Sequence, residues 1–267
     1  MPVGDFYHHL KKGCFQAFIA RIFGCLDIHT HLRIRPLLSF LDRYIKSGKT
    51  YKVLEIGCGD GVNAFELMKI ARRKNAHIKY IGFDLDQHNV DKAIKLADAL
   101  HVSSSVNMTC ADVCQCTFND NDSFDIVLLI DFLEHIEYPH LILQKLQRKF
   151  APGAVCLVSV PTYKYKDVFG AAYHRAIGHV KDGYDIQELN RLFESAVGGQ
   201  PISHSYSTGL ISSLGCSLYY RTGGNNNTIA AALKTLLLYP FIFLDIYNNK
   251  YASCSLFAVY RVAEGKK

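Results

Sequence analysis

The chain of 267 residues has no uninterrupted apolar run of membrane-spanning length. Its most hydrophobic stretch, IAAALKTLLLYPFIFLDIY (229–247), is broken by Lys234, Pro240 and Asp245, which argues against a transmembrane helix. A secretory leader is not expected, because Asp5, His8 and His9 precede Lys11 and Lys12, and Arg21 and Asp27 break the apolar run that follows. A disulfide framework is not expected either. The nine cysteines are odd in number and lack a repeating spacing, so they read as reduced thiols in a cytoplasmic protein. Cys110, Cys114 and Cys116 cluster without a second CxxC or a His pair nearby, which argues against structural zinc. Nor is there a large charge excess: the net +6 is modest, leaning toward phospholipid headgroups, phosphorylated substrates or nucleic acid without demanding any of them.

The stretch that organises the chain is YKVLEIGCGDG (51–61), followed by the amphipathic run VNAFELMKIARRK. Val53, Leu54 and Ile56 read as a buried strand, Gly57, Gly59 and Gly61 as a tight turn, and a helix starts near Val62. A second strand, HIKYIGFDLD (77–86), ends in Asp84, where a carboxylate can take both ribose hydroxyls of a nucleoside. Strands are expected near 52–57, 78–84, 105–110, 124–130 and 153–160, and helices near 62–74, 87–100 and 138–150, the last stopped by Pro152-Gly153. The glycines, Asp84, Asp112 and Asp131 then share the carboxyl edge of one doubly wound parallel sheet. A capping box at Asp185 and Glu188 opens a further helix.

LEIGCGDG (54–61), GFDLD (82–86), CADV (110–113), FDIVLLIDFLEHI (124–136) and APGAVCLVSVP (151–161) come in an order and at intervals that resemble the class I S-adenosylmethionine-dependent methyltransferases, over residues 50–205. The turn is GxGxG after Glu55, unlike the GxGxxG of dinucleotide folds. The resemblance implies an α/β, Rossmann-like, seven-stranded sheet, with ISHSYS (202–207) and CSLFAVYRV (254–262) as an antiparallel pair at one edge. It implies that Glu55 holds the amino group of the cofactor's methionine moiety, directly or through water, and that Gly57 and Gly59 let the backbone pass beneath it. By the same token Asp84 grips the ribose, Leu85 lies against the adenine, Asp112 beside Val113 reads the adenine amino group, and Asp131 closes the cofactor site. The D-x-x-E-H of Asp131, Glu134 and His135 is similar to the E-x-x-E-H of ubiquinone-biosynthesis O-methyltransferases and small-RNA 2′-O-methyltransferases. It implies a divalent metal such as Mg²⁺ on those three residues. Relatives that use no metal also carry LEHI, so both readings stay open.

His135, with His174 and His179 in YHRAIGHVKDGY (173–184), are the candidate catalytic residues, since imidazole titrates near neutrality; Tyr163 and Tyr173 are candidate pocket walls. The expected organisation is an N-terminal helical cap (1–49) of two or three helices with Pro36 opening the last. The cofactor-binding domain follows (50–207 and 253–263), with an apolar insertion (208–252) that is either a lid or a peripheral membrane surface. The expected activity is O-methylation of a small or lipophilic acceptor such as a quinone precursor, isoprenoid or modified sugar. Two rivals are kept: an RNA 2′-O-methyltransferase, against which the basic residues are not clustered with exposed aromatics, and a non-catalytic scaffold or activator, against which the glycine turn and both nucleoside acids are intact.

Overall fold

The computed structural model describes residues 28–115, 118, 122–221, 237, 240 and 248–262. Seven strands form one sheet: β1 (Thr50–Ile56), β2 (His77–Asp84), β3 (Val106–Cys110), β4 (Phe124–Ile130), β5 (Phe150–Pro161), β6 (Gln200–Ser207) and β7 (Ser255–Arg261). Their order is β3-β2-β1-β4-β5-β7-β6, parallel except for β7, which runs antiparallel to both β5 and β6. The helices are α1 (Ile28–Tyr44), α2 (Val62–Lys74), α3 (Gln87–Ala99), α4 (Pro139–Gln147), α5 (Lys164–Phe169), α6 (Ala171–Ala176), α7 (Ile186–Val197) and α8 (Leu210–Arg221), with a 3-10 turn at Leu133–His135.

Both faces of the sheet are covered, and strand alternation sorts the side chains between them. Val53 packs with Leu37, Leu41, Phe65, Ile70 and Ala93 in one cluster, built from α1, α2 and α3. Leu54 and Ile56 face the other, with Leu143 and Leu146 of α4 and Leu189 and Phe193 of α7. Phe193 stacks on Tyr260 of β7 at 4.1 Å, and the Tyr260 hydroxyl donates to Asn190 Oδ1 at 2.9 Å. The capping box opens α7 as expected: Asp185 accepts from the Glu188 amide and Glu188 from the Asp185 amide. Asp86 caps α3 through the His88 amide.

Two boundaries differ from the sequence reading. Pro36 lies inside α1 rather than at its start. The missing backbone donor is tolerated because Leu32, Leu37, Leu41 and Ile45 anchor the helix on the core, each almost fully buried. Pro152-Gly153 do not stop α4; they lie within β5, which begins at Phe150, and the β4 pairing shifts register between Phe124 and Ile126 to absorb them. Among the described residues no disulfide joins the cysteines, and no helix is long and apolar enough to cross a membrane. The helices expected in residues 6–27 lie outside the described residues, as does the 229–247 run apart from Leu237 and Pro240.

Candidate active site

Everything that carries chemistry gathers at the carboxyl ends of β1, β2, β3 and β4. The glycine turn leaves β1 with the Gly57 and Cys58 amides both donating to the Phe83 carbonyl, at 2.8 and 3.0 Å. Gly59 has φ +52, and a Cβ placed there meets no atom within 4 Å. The backbone is therefore bare where the cleft opens, which fits close approach of a ligand. Gly61 is needed for a different reason. Its φ is +81 and a Cβ would lie 2.5 Å from the Met108 methyl, so it serves packing beneath α2. Asp84 Oδ2 accepts from the Gly59 amide at 2.7 Å and Oδ1 from the Asp86 amide at 2.9 Å, which orients the carboxylate beside the turn with lone pairs left over. Leu85, next along, is 74% exposed.

Asp112 and Val113 close this half. Asp112 accepts from the Cys114 amide at 2.8 Å and from Gln115 Nε2 at 2.9 Å, while the Val113 carbonyl accepts from Lys145 of α4 at 2.9 Å. Glu55 departs from expectation. It is fully buried; Asn63 Nδ2 donates to Oε1 at 2.6 Å and the Tyr80 hydroxyl donates to Oε2. Burial pushes its carboxyl up to about 8, against the pull of those two hydrogen bonds. Both carboxylate oxygens are thus engaged by side chains beneath the turn.

The acceptor side begins where β4 ends. Asp131 has φ +50, uncommon for a non-glycine residue, and pairs with Arg33 of α1. Burial raises its carboxyl and the Arg33 charge opposes that rise. Glu134 is buried, its Oε2 has no hydrogen-bond partner, and burial followed by the Asp131 charge pushes it well above the usual carboxylate range. The Glu134 carbonyl accepts from the amides of Val180 and Lys181 at 2.9 and 3.2 Å, which folds the segment after β5 back over β4. That return brings three imidazoles together: His179 meets His135 edge-on at 4.8 Å and His174 at 4.5 Å. His135 Nδ1 lies 3.1 Å from the Gly178 carbonyl. His174 is on α6 and buried, with Nε2 lacking a partner and Nδ1 3.9 Å from Asp182. Burial, with His135, His174 and Arg33 nearby, lowers His179 to about 4.

Ligand atoms of Glu134, His135 and His179 lie within 4.8 Å of one another. The cluster differs from the trio read in the sequence: Asp131 pairs with Arg33, and His179 lies beside Glu134 and His135 in its stead. Sequence reasoning singled out His179 as a candidate base and not as a candidate ligand; no fixed spacing ties it to D-x-x-E-H. Arg33, Asn63 and Tyr80 were also missed, since each acts on a residue distant in sequence. Tyr163 is exposed, and its hydroxyl donates to Glu188 of α7 at 2.9 Å.

The sheet order, with helices on both faces, defines a doubly wound α/β fold. A protein-family profile described as a methyltransferase domain matches residues 27–196, and the chain belongs to that family. Among curated proteins it is similar to a ubiquinone biosynthesis O-methyltransferase of Psychrobacter arcticus, 29% identical over 108 residues, 40% of each chain. It is also similar to a probable (S)-tetrahydroprotoberberine N-methyltransferase 2 of Papaver bracteatum, 30% identical over 166 residues, 59% of this chain and 44% of the other. The chain thus spans less than half the length of these curated relatives. Among solved structures, a putative sarcosine dimethylglycine methyltransferase from Galdieria sulphuraria superposes with TM-score 0.58 at 14% identity, covering 89% of this chain and 86% of that one, a likeness of fold.

Proposed function

We propose that this chain transfers a methyl group from S-adenosylmethionine to an oxygen of a small or lipophilic acceptor. The observation that carries the reading is the adjacency, at one sheet edge, of an open Gly59–Asp84–Leu85 cradle and a cluster of three histidines with Glu134. When bound, S-adenosylmethionine supplies an electrophilic sulfonium methyl. In this reading Asp84 takes the ribose hydroxyls, Leu85 covers the adenine and Asp112 lies at its edge. These residues act by positioning, which suits a reaction whose demand is in-line alignment of acceptor and methyl carbon. The acceptor oxygen forms its bond to the methyl carbon as the carbon–sulfur bond breaks with its electron pair to sulfur, and the hydroxyl proton goes to an imidazole. His179 is kept neutral at pH 7 by its lowered proton affinity, so it is available to accept that proton but holds it weakly.

Glu134, His135 and His179 also fit a divalent cation: Glu134 Oε2 and His179 Nδ1 are both buried without a partner. One carboxylate with two imidazoles suits Mn²⁺, Fe²⁺ or Zn²⁺ better than Mg²⁺. A cation bound there would orient and acidify the acceptor hydroxyl. In that case His174 is left as the proton acceptor. A lipophilic acceptor is supported by α8, which packs on α5 and presents Leu210, Leu214 and Leu218, each more than half exposed, on one face. We extend the proposal to a cap (residues 1–49), an insertion (208–252) and peripheral contact with a bilayer through that insertion. The test is incubation with methyl-labelled cofactor and cell extract split into lipid, small polar and RNA fractions. Label is expected in the lipid or small polar fraction; label in RNA alone, or in no fraction, overturns the reading.

A further inference from the structure

Lys145 lies in the last turn of α4, where a basic side chain ordinarily serves the final carbonyls of its own helix. Its ammonium instead donates to carbonyls 32 and 31 positions earlier in the chain, those of Val113 at 2.9 Å and Cys114 at 2.8 Å, in the turn that follows β3. Among the described residues Lys145 has no carboxylate partner, so two of its three donors are spent on main chain. The turn it holds is tied at both ends. The Ala111 amide donates to the Asp84 carbonyl at 2.9 Å, and the Gln115 amide closes on the Asp112 carbonyl at 2.9 Å. The Val113 side chain is buried in one apolar cluster with Ile142, Leu143 and Leu146, so α4 holds the turn by side chain as well as by main chain.

The detail that matters is which peptide Lys145 grips. Its ammonium takes the Val113 carbonyl, and the Asp112 carboxylate accepts from the Cys114 amide at 2.8 Å, so the two charges hold opposite ends of a single peptide group. A peptide group is planar, and fixing its oxygen fixes the direction of its N–H. A cation at the oxygen and an anion at the amide hydrogen also polarise the group in the same sense, and each bond strengthens the other. We propose that Lys145 is a positioning residue for recognition of the nucleobase: by holding the Val113–Cys114 peptide it aims the Asp112 carboxylate, and so sets a preference for adenine over a base with oxygen in place of the amino group. This rests on the reading above in which Asp112 lies at the adenine edge. An exocyclic amino group donates to a carboxylate, whereas a carbonyl oxygen there sets acceptor against acceptor. A clasp that only stabilised the fold would serve as well on any carbonyl of the loop; this one falls on the peptide that orients Asp112.

The test compares S-adenosylhomocysteine with S-inosylhomocysteine, which carries oxygen in place of the adenine amino group, by calorimetry on the full chain. The parent should favour the adenosyl ligand by about tenfold or more. Lys145→Met keeps a long apolar stem without a donor, and its ratio should contract to about threefold or less, chiefly through lost affinity for the adenosyl ligand. Lys145→Arg, which supplies two parallel donors, should keep most of the parent's ratio. A Lys145→Met ratio equal to the parent's overturns the inference, whether both affinities are unchanged or both fall together, because a merely structural role acts on the two ligands alike. Urea unfolding checks the fold; if Lys145→Met does not unfold cooperatively, Lys145→Gln carries the same comparison under the same criterion. A parent that binds neither ligand overturns the cofactor reading and this inference with it. A parent that binds both equally leaves cofactor binding standing and overturns the base preference alone.

Discussion

Replacing Glu55 by Gln should make the fold less sensitive to pH, and the structure sets both direction and size. The carboxyl rises from 4.5 to about 8 because it is fully buried, so the folded chain holds a proton there that the unfolded chain releases. The sign follows: a folded pKa above the unfolded one means that the folded state binds more protons between pH 4.5 and 8. Stability is therefore highest below that window and falls as pH climbs through it. At 1.36 kcal/mol per pH unit the whole window is worth about 5 kcal/mol, a ceiling because relaxation and water entry reduce it. From pH 6 to 8 the loss is about 2–3 kcal/mol. Glutamine stays neutral throughout. It keeps an acceptor for the Tyr80 hydroxyl and offers a donor to Asn63 Oδ1, which has no partner in the parent. Urea unfolding at 25 °C between pH 5.5 and 8.5 checks this. Parent and Glu55→Gln should be close at the acid end and diverge as pH rises, the variant ahead by about 2 kcal/mol or more at pH 8. Parallel curves would refute the buried neutral acid, and with it the role of Glu55 as an internal support.

Asp84→Asn keeps an acceptor for the Gly59 amide but removes the charge, and it should weaken S-adenosylmethionine binding by about tenfold in calorimetry, with Asp84→Ala worse; parental affinity in either variant removes Asp84 from the site. His179→Ala should abolish Mn²⁺ binding measured by electron paramagnetic resonance, and a chelator should inhibit the parent until metal is returned. Turnover unchanged in excess chelator leaves Glu134, His135 and His179 as metal-independent residues. Gly61→Ala meets both a positive φ and the Met108 methyl, so urea unfolding should show a loss of about 2–4 kcal/mol that Met108→Ala cannot restore. A loss under about 0.5 kcal/mol would show that the turn can relax.

The strands were legible because each is short, apolar and bounded by turn residues; β1, β2, β3 and β4 start and stop within two residues of the expected positions. The capping box at Asp185 was legible because its partners are three residues apart. Pro36 and Pro152-Gly153 misled for a shared reason. Proline and glycine are read as punctuation from local energetics, whereas Leu37 and Leu41 on one side and the β4–β5 ladder on the other supply enough long-range burial and pairing to carry the chain through them.

The site divides along the same line. The proposed nucleoside half is made by residues at or next to strand ends, where a two-residue period and a parallel register fix position, so Gly59, Asp84 and Leu85 share one sheet edge as the pattern puts them. The acceptor half is made by returns of the chain. Arg33 comes in from α1, and His174 and His179 arrive because the Val180 and Lys181 amides dock on the Glu134 carbonyl. That docking also buries Glu134 and strips water from His179, which is what raises one proton affinity and lowers the other. Burial thus favours the protonated form of Glu134 and the neutral form of His179. A cation there competes with the Glu134 proton, so metal affinity at this cluster should increase with pH.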